Sequence, residues 1–130
     1  MADLLKITKT GGRVVILQLE GNLDRQTEDE LVHAAQREFD SGARFLLMDL
    51  HGVEVVTSAG LRALHTIYKM FTPENEIQAW RAEHPHEVFK SPYFKLAQPS
   101  PQVHYVLSMA GFLQSLYIHP SAAEALASFA

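Results

Sequence analysis

The sequence predicts an α/β fold, in which a mixed, largely parallel central β-sheet of four to five strands is preceded by an N-terminal β-hairpin and covered by helices. Three observations support it. Two β-rich runs flank a glycine pair near the start of the chain, and strand-like and helical hydrophobic patterns then alternate. A length of 130 residues with 47% hydrophobic and 20% charged residues suffices for one independent core, so we expect one domain over residues 1–130.

The N-terminal elements are predicted from their periodicity and turn residues. Residues 4–19 form two β-rich runs on either side of the glycine pair, a pattern typical of a β-hairpin. Thr27 and Glu30 have the spacing of a capping box, which predicts that a helix begins there. Residues 45–48 are uninterruptedly apolar, as in a strand buried on both faces, so the helix before them is predicted to be a crossover connection.

A second helix is predicted from an apolar stripe with steps of three and four residues, at Leu61, Leu64, Tyr68 and Phe71. Its start falls at Thr57 or Ser58. Residues 72–92 contain three prolines and the only tryptophan, and we expect an inserted loop with about one helical turn near residues 75–81.

The C-terminal elements are predicted to be strand, helix, strand and helix. Residues 93–98 and 116–118 are the two strands. Ser100 followed by Pro101 is a typical helix start, and Ser121 has the position of a cap for the last helix.

Composition excludes several function classes. Cysteine is absent, which excludes disulfides, thiolate metal sites and cysteine nucleophiles. A formal net charge of -4 argues against direct nucleic-acid binding. The N-terminus lacks a signal-peptide pattern and no apolar run is long enough to cross a membrane, so we expect a cytoplasmic protein.

Four short motifs point together to one family. They are LMDLHGV with TSAGLRAL at 47–64, GNLD at 21–24, LSMAGF at 107–112, and the tail IHPSAAEAL at 118–126. In order and spacing they resemble the STAS domain of anti-sigma factor antagonists, which has an Asp-Leu-Ser-Gly-Val strand, an Asp-Ser-Ser/Ala-Gly-Leu turn, a Gly-x-Leu-Asp loop and a Leu-x-x-x-Gly-Leu segment. The resemblance covers the chain except for about residues 72–92, an atypical insertion.

The resemblance implies a bacterial, non-enzymatic regulator of transcription. Members of this family bind a kinase-type anti-sigma factor and thereby release the sigma factor, and phosphorylation of one serine in the helix-start turn breaks the complex. Carried over by position, the phosphorylated residue is Ser58. Thr57 stands where the family often has Asp, which makes it an alternative acceptor. The partner-binding positions implied are Asn22, Asp24, Thr57, Ser58, Gly60 and Leu61.

Physical chemistry supports a switch at Ser58 and also offers a simpler interpretation. Backbone N–H groups at a helix start can accommodate a phosphate, which adds about -1.5 to -2 charge to an interface. Gly60 would allow close approach of a partner's backbone, and Leu61 could pack at the rim. The simpler interpretation is that Ser58 is an ordinary N-cap, worth about 1 kcal/mol. Asn22 and Asp24 are equally explained by turn chemistry.

Two alternative functions remain open. One is a constitutive STAS scaffold or subunit of a stress-signalling or lipid-transporter complex without phosphorylation, favoured by Thr57 and the insertion. The other is a small-molecule or nucleotide binder or weak enzyme, for which only the His84–His86 cluster and the aromatic residues Trp80, Tyr93 and Phe94 speak.

The second alternative lacks the usual sequence signals. Proline between the two histidines prevents the helical spacing of metal-binding pairs, and neither phosphate-binding glycine motif is present. We therefore expect no metal, no cofactor and no catalytic residues. Self-association as a homodimer stays open.

Overall fold

The computed structural model describes residues 5–129. The strands are Leu5–Gly11 (β1), Val14–Leu23 (β2), Phe45–Val56 (β3), Phe94–Ala97 (β4) and Ile118–His119 (β5). The helices are Glu28–Asp40 (α1), Ser58–Phe71 (α2), Glu74–Glu83 (α3), Pro101–Met109 (α4) and Ala122–Ala127 (α5), with a 3-10 turn at Phe112–Gln114. None of the helices within residues 5–129 is long and apolar enough to cross a membrane.

The five strands form one sheet in the order β1-β2-β3-β4-β5. β1 is antiparallel to β2, whereas β2, β3, β4 and β5 are parallel to one another. The hairpin turn depends on Gly11, which has a φ of +100° and lies so close to Val14 that a Cβ would be 2.2 Å from its carbonyl oxygen. The predicted mixed, largely parallel sheet with an N-terminal hairpin is confirmed.

Successive parallel strands are joined by helices, and the core is divided by the sheet. α1 to α4 bury their apolar residues with Leu46, Met48 and Leu50 on one face. α5 covers a smaller cluster on the other face, where Phe129 packs with Leu47. Since Leu46, Leu47 and Met48 are all fully buried, β3 is covered on both faces as its uninterrupted apolar sequence predicts.

The capping box predicted at Thr27 is not formed. α1 begins after Thr27 as expected, but the Thr27 hydroxyl makes no cap hydrogen bond. It donates to the carbonyl oxygen of Asn22 at 2.8 Å and accepts from the backbone N–H of Asp24 at 3.0 Å. The backbone of Thr27 is near helical, with φ -109° and ψ -7°, instead of the extended conformation that lets a cap side chain reach forward. The Ser100 and Ser121 caps do form, each accepting a backbone N–H at 3.1 Å.

The segment expected as a loop with one helical turn contains the ten-residue helix α3. Its single fully apolar anchor is Ile77, which is 4% exposed, and its polar remainder explains why the periodicity gave a weak signal. A buried hydrogen bond of 2.7 Å joins Thr72 to Ser91 across the segment, and Tyr93 donates to Glu76 at 2.6 Å. The first contact joins the two ends of the segment to each other, and the second joins α3 to the residue before β4.

Candidate functional site

The carboxyl ends of β2 and β3 meet at one edge of the sheet, because the two strands are parallel and Leu23 pairs with Val56. Just beyond this pair, the backbone N–H of Thr57 donates to the carbonyl oxygen of Leu23 at 2.9 Å. The turn after β2 and the start of α2 are therefore adjacent. We call the residues Asn22, Asp24, Thr57 and Ser58 the serine edge.

Ser58 is the first residue of α2 and is exposed. Thr57 occupies the N-cap position with extended backbone, and its hydroxyl makes no cap hydrogen bond; it lies 3.4 Å from the Leu23 carbonyl oxygen. The simpler interpretation of Ser58 as the N-cap residue is therefore wrong by one position. The first turn of α2 carries no acidic side chain, in contrast to the three acidic residues at the start of α1. The partial positive charge at the N-terminus of α2 is therefore not neutralised by an acidic side chain of the first turn, and it would stabilise an anion placed there.

Gly60 is buried against the end of β2. A Cβ at this position would lie 2.2 Å from the carbonyl oxygen of Leu23, and no side chain can be accommodated there without movement of the backbone. The absence of a side chain at Gly60 thus allows α2 to pack closely against β2 of the same chain, whereas the sequence predicted the close approach of a partner's backbone. Leu61 is half-buried and packs against the main core. Both residues therefore help to hold the start of α2 against the sheet.

The turn after β2 is held by its own hydrogen bonds. Asp24 Oδ1 accepts the backbone N–H groups of Gln26 at 2.9 Å and Thr27 at 3.2 Å. Thr27 is 2% exposed and bridges the turn through its hydroxyl. Asn22 and Asp24 are half-buried beside this buried threonine. The turn chemistry expected of Asp24 is present. Asn22 lies at the end of β2 and takes part through its backbone carbonyl oxygen, which accepts the Thr27 hydroxyl.

An ion pair connects the starts of α1 and α2 beside the serine edge. Arg62 donates from Nε to Glu28 Oε2 at 2.6 Å and from its second terminal nitrogen to Oε1 at 3.0 Å. These hydrogen bonds hold the pKa of the Glu28 carboxyl below its usual value and raise the pKa of the Arg62 guanidinium. The sequence did not predict this pair, because its two residues are 34 positions apart. Arg62 also lies four residues after Ser58, on the same face of α2.

An apolar groove of about 500 Å³ opens between the end of β3 and α4. β4 pairs with β3 from Leu46 to Asp49. Among residues 5–129, no strand pairs with the second half of β3 on that side, and α4 lies there instead. Val55 and Tyr105 line the groove and are 47% and 63% exposed. Val56 also lines it, two residues before Ser58. The groove and Ser58 are therefore close in sequence, at the end of β3 and the start of α2.

The residues considered for metal or nucleotide binding have other contacts. His84 stacks on Trp80 with ring centres 4.3 Å apart, and its Nδ1 lies 2.9 Å from the Trp80 carbonyl oxygen. Phe94 is fully buried in β4, and Tyr93 is bonded to α3 through Glu76. Within residues 5–129, no three His, Asp or Glu side chains are grouped as metal ligands.

Comparisons with known proteins identify relatives of this fold. A family model described as STAS domain matches residues 6–77. An anti-sigma factor antagonist from Mycobacterium paratuberculosis has a solved structure with a TM-score of 0.76 and 18% identity, over 96% of this chain and 93% of that chain. A comparison with curated proteins finds no match.

Two further solved structures have other descriptions. The Bacillus cell fate determinant SpoIIAA in its phosphorylated form has a TM-score of 0.61 and 14% identity, over 95% of this chain and 96% of that chain. A sulfate transporter family protein from Wolinella succinogenes has a TM-score of 0.60 and 19% identity, over 88% of this chain and 83% of that chain. At these identities the likeness establishes a shared fold.

Proposed function

The chain belongs to the STAS domain family, and we propose that it is an anti-sigma factor antagonist. In this proposal it is a non-enzymatic protein of the bacterial cytoplasm that binds a kinase-type anti-sigma factor through the serine edge. The observation that carries the proposal is the position of Ser58: exposed, first in α2, beside the turn after β2, and two residues after Val56, which lines the apolar groove. The relatives described as anti-sigma factor antagonists support it.

The serine edge has the properties of a protein-binding surface that one charge can switch. Two neighbouring residues, Gly60 and Thr27, are buried, which holds the turn and the helix start in fixed relation. The Ser58 hydroxyl is exposed, and the apolar groove at the end of β3 presents the exposed side chains of Val55 and Tyr105. A partner that covers this surface removes Ser58 from water, and a charged group there must then be desolvated.

The proposed switch is phosphorylation of Ser58. The Ser58 oxygen takes the γ-phosphoryl group of a nucleoside triphosphate, its proton leaves to solvent, and the nucleoside diphosphate is released. The product carries about -1.5 to -2 additional charge at neutral pH. In a buried interface this charge costs desolvation and repels acidic groups of the partner, while the exposed helix start keeps the free domain folded.

Charge substitution at Ser58 tests the proposal. We expect Ser58→Asp to weaken binding to the kinase-type anti-sigma factor of the same genome by about tenfold or more, because like charges and desolvation oppose the complex. Ser58→Ala should bind as wild type does. Calorimetric titration gives the dissociation constants. Thr66→Asp is the matched control, since Thr66 is exposed two turns further along α2 and should leave affinity unchanged. Equal affinity of the Ser58→Asp and Ser58→Ala variants would refute the switch.

A second candidate function is that of a constitutive STAS subunit of a transporter or stress-signalling complex. The structural likeness to a sulfate transporter family protein favours it, as does Thr57 in place of the family's usual acidic residue. Intact-mass measurement on protein from its native cell separates the two functions. A mass without phosphate under all growth conditions, with co-purification of a transporter ATPase, would select the second.

A further inference from the structure

We propose that Arg62 receives the phosphate on Ser58 and that the phosphate takes Arg62 away from Glu28. The ion pair between α1 and α2 is thus the internal sensor of the modification. This inference rests on the proposed function in one respect, that Ser58 is the phosphorylated residue.

The geometry of α2 places Arg62 within reach of a group on Ser58. The two residues are the first and fifth of the helix, a separation at which side chains are neighbours on one face. Side chains of a helix lean toward its N-terminus, so a side chain as long as that of Arg62 can reach the turn that contains Ser58. In the structure this side chain is 64% exposed and reaches across to Glu28. Because this side chain is exposed, it can change rotamer and exchange one anion for the other without repacking of the core.

Electrostatics favours the phosphate over the carboxylate. A phosphoserine carries up to twice the charge of Glu28 and offers three acceptor oxygens, which match the planar fork of a guanidinium. The phosphate also lies at the N-terminus of α2, where no acidic side chain of the first turn competes. The Glu28 side chain is 18% exposed in the ion pair, and Arg25 provides a second positive charge nearby when Arg62 leaves.

Loss of the ion pair acts on the turn after β2. Glu28 is the first residue of α1 and follows directly on the buried Thr27, which closes that turn. The ion pair therefore holds the α1 end of the turn to α2. When the phosphate takes Arg62, this connection is broken, and Asn22 and Asp24 lose one of the constraints that align them with α2. Phosphorylation would then change both the charge of the serine edge and the attachment of its turn.

A protein with phosphoserine inserted at position 58 during synthesis tests the inference without kinase or partner. Phosphorus NMR follows the second ionisation of the phosphate, whose ordinary pKa is about 6. We expect Arg62→Gln to raise this pKa by roughly 0.3 pH units, because the dianion loses its guanidinium while keeping the helix N-terminus. Glu28→Gln should lower it, because a competing anion is removed. Lys69→Gln, in the last turn of the same helix, is the control and should leave it unchanged.

The Arg62 Nε resonance reports which anion the guanidinium holds. In the unphosphorylated protein, Glu28→Gln should move this resonance, whereas in the phosphoserine protein the same substitution should hardly affect it. Equal phosphate pKa values in wild type and Arg62→Gln would overturn the inference, and so would an Nε resonance that still depends on Glu28 after phosphorylation. Because these measurements use the isolated protein, they are independent of partner binding, which decides the proposed function.

Discussion

Gly60 lies next to the serine edge, at a position where a side chain would collide with the backbone of β2. Alanine is the better helix former, by about 1 kcal/mol, yet its Cβ would lie 2.2 Å from the Leu23 carbonyl oxygen. Steric conflict with backbone outweighs helix propensity at such a distance, because neither α2 nor β2 can move without disturbing the core.

We therefore expect Gly60→Ala to lower the free energy of unfolding by about 1–3 kcal/mol. Denaturant titration followed by circular dichroism measures the change. Gly12→Ala is the matched control, because within residues 5–129 no atom beyond the two neighbouring residues lies within 4 Å of a Cβ at Gly12. A Gly60→Ala variant as stable as Gly12→Ala would contradict the packing argument.

Ser58 and Thr57 are neighbouring hydroxyls with different surroundings. The Thr57 hydroxyl lies 3.4 Å from a backbone carbonyl, and the Thr57 backbone N–H is bonded to the same carbonyl. Ser58 is already inside the helix, where an attached group projects from an exposed first turn. This difference favours Ser58 as the acceptor, and Thr57 stays the alternative that the sequence predicts.

At the scale of elements, the unequal lengths of β3 and β4 create the apolar groove. β3 has twelve residues and β4 four, and α4 covers only part of the strand edge that remains. Tyr105 belongs to α4, lines this groove with an aromatic side chain and is 63% exposed. Large aromatic residues at the centre of protein interfaces often dominate affinity.

Truncation of Tyr105 tests whether the groove is part of the partner surface. We expect Tyr105→Ala to weaken binding to the anti-sigma factor by about 5–30-fold, an effect of about 1–2 kcal/mol, without loss of stability. Tyr117→Ala is the control. Tyr117 is 42% exposed but lies over Lys95 on the α5 side of the sheet. A surface-immobilised binding assay measures the two affinities. Equal affinity of the Tyr105→Ala and Tyr117→Ala variants would contradict a role for the groove.

The segment from Thr72 to Pro92 shows how tertiary contacts define an element with a weak sequence pattern. α3 contributes one buried residue, Ile77, and the following loop contributes Phe89, which is 8% exposed. Trp80 lies between them, half-buried, in edge contact with Phe89 and stacked on His84. The prediction that this segment is an insertion relative to the family stays a prediction.

At the scale of the whole molecule, the stability of the fold depends on pH through His119, which lies on the face of the sheet opposite the main core. Burial lowers the pKa of the His119 imidazole, the positive charge of Lys95 lowers it further, and Glu124 opposes both. Lys95 is 5% exposed and donates to the Ser128 hydroxyl at 2.8 Å, which fixes its charge close to α5. The His119 Nε2 is buried without a hydrogen-bond partner among residues 5–129.

The sign of the resulting pH dependence follows from linkage. Because the folded pKa of His119 is below its ordinary value of 6.5, the unfolded chain binds this proton more readily, and the fold loses stability as pH falls through about 6.5. We expect His119→Asn to reduce the fall in Tm between about pH 7.5 and 5.5. Differential scanning calorimetry measures the slope. His33→Asn, exposed on α1, should keep the wild-type slope, and an unchanged slope in His119→Asn would disprove the assignment.

Local sequence determined most of the elements, because their signals are short-range. The glycine pair, the uninterrupted apolar run of β3 and the Ser100 and Ser121 caps each depend on a few neighbouring residues, and each is confirmed. The family motifs likewise predicted the family and the mixed sheet, since their order and spacing are properties of the chain. The Thr27 capping box failed because Asn22 and Asp24 offered its hydroxyl alternative partners.

Tertiary structure alone decided what meets at the serine edge. Two features around it join residues more than 30 positions apart: the contact of Gly60 with Leu23 and the ion pair between Arg62 and Glu28. A third, the groove beside Tyr105, depends on the unequal lengths of β3 and β4. No local pattern encodes such distances, because parallel strands meet only after their crossover helices have packed. The sequence therefore determined that a serine begins α2, and the packed sheet determined which charges and surfaces surround it.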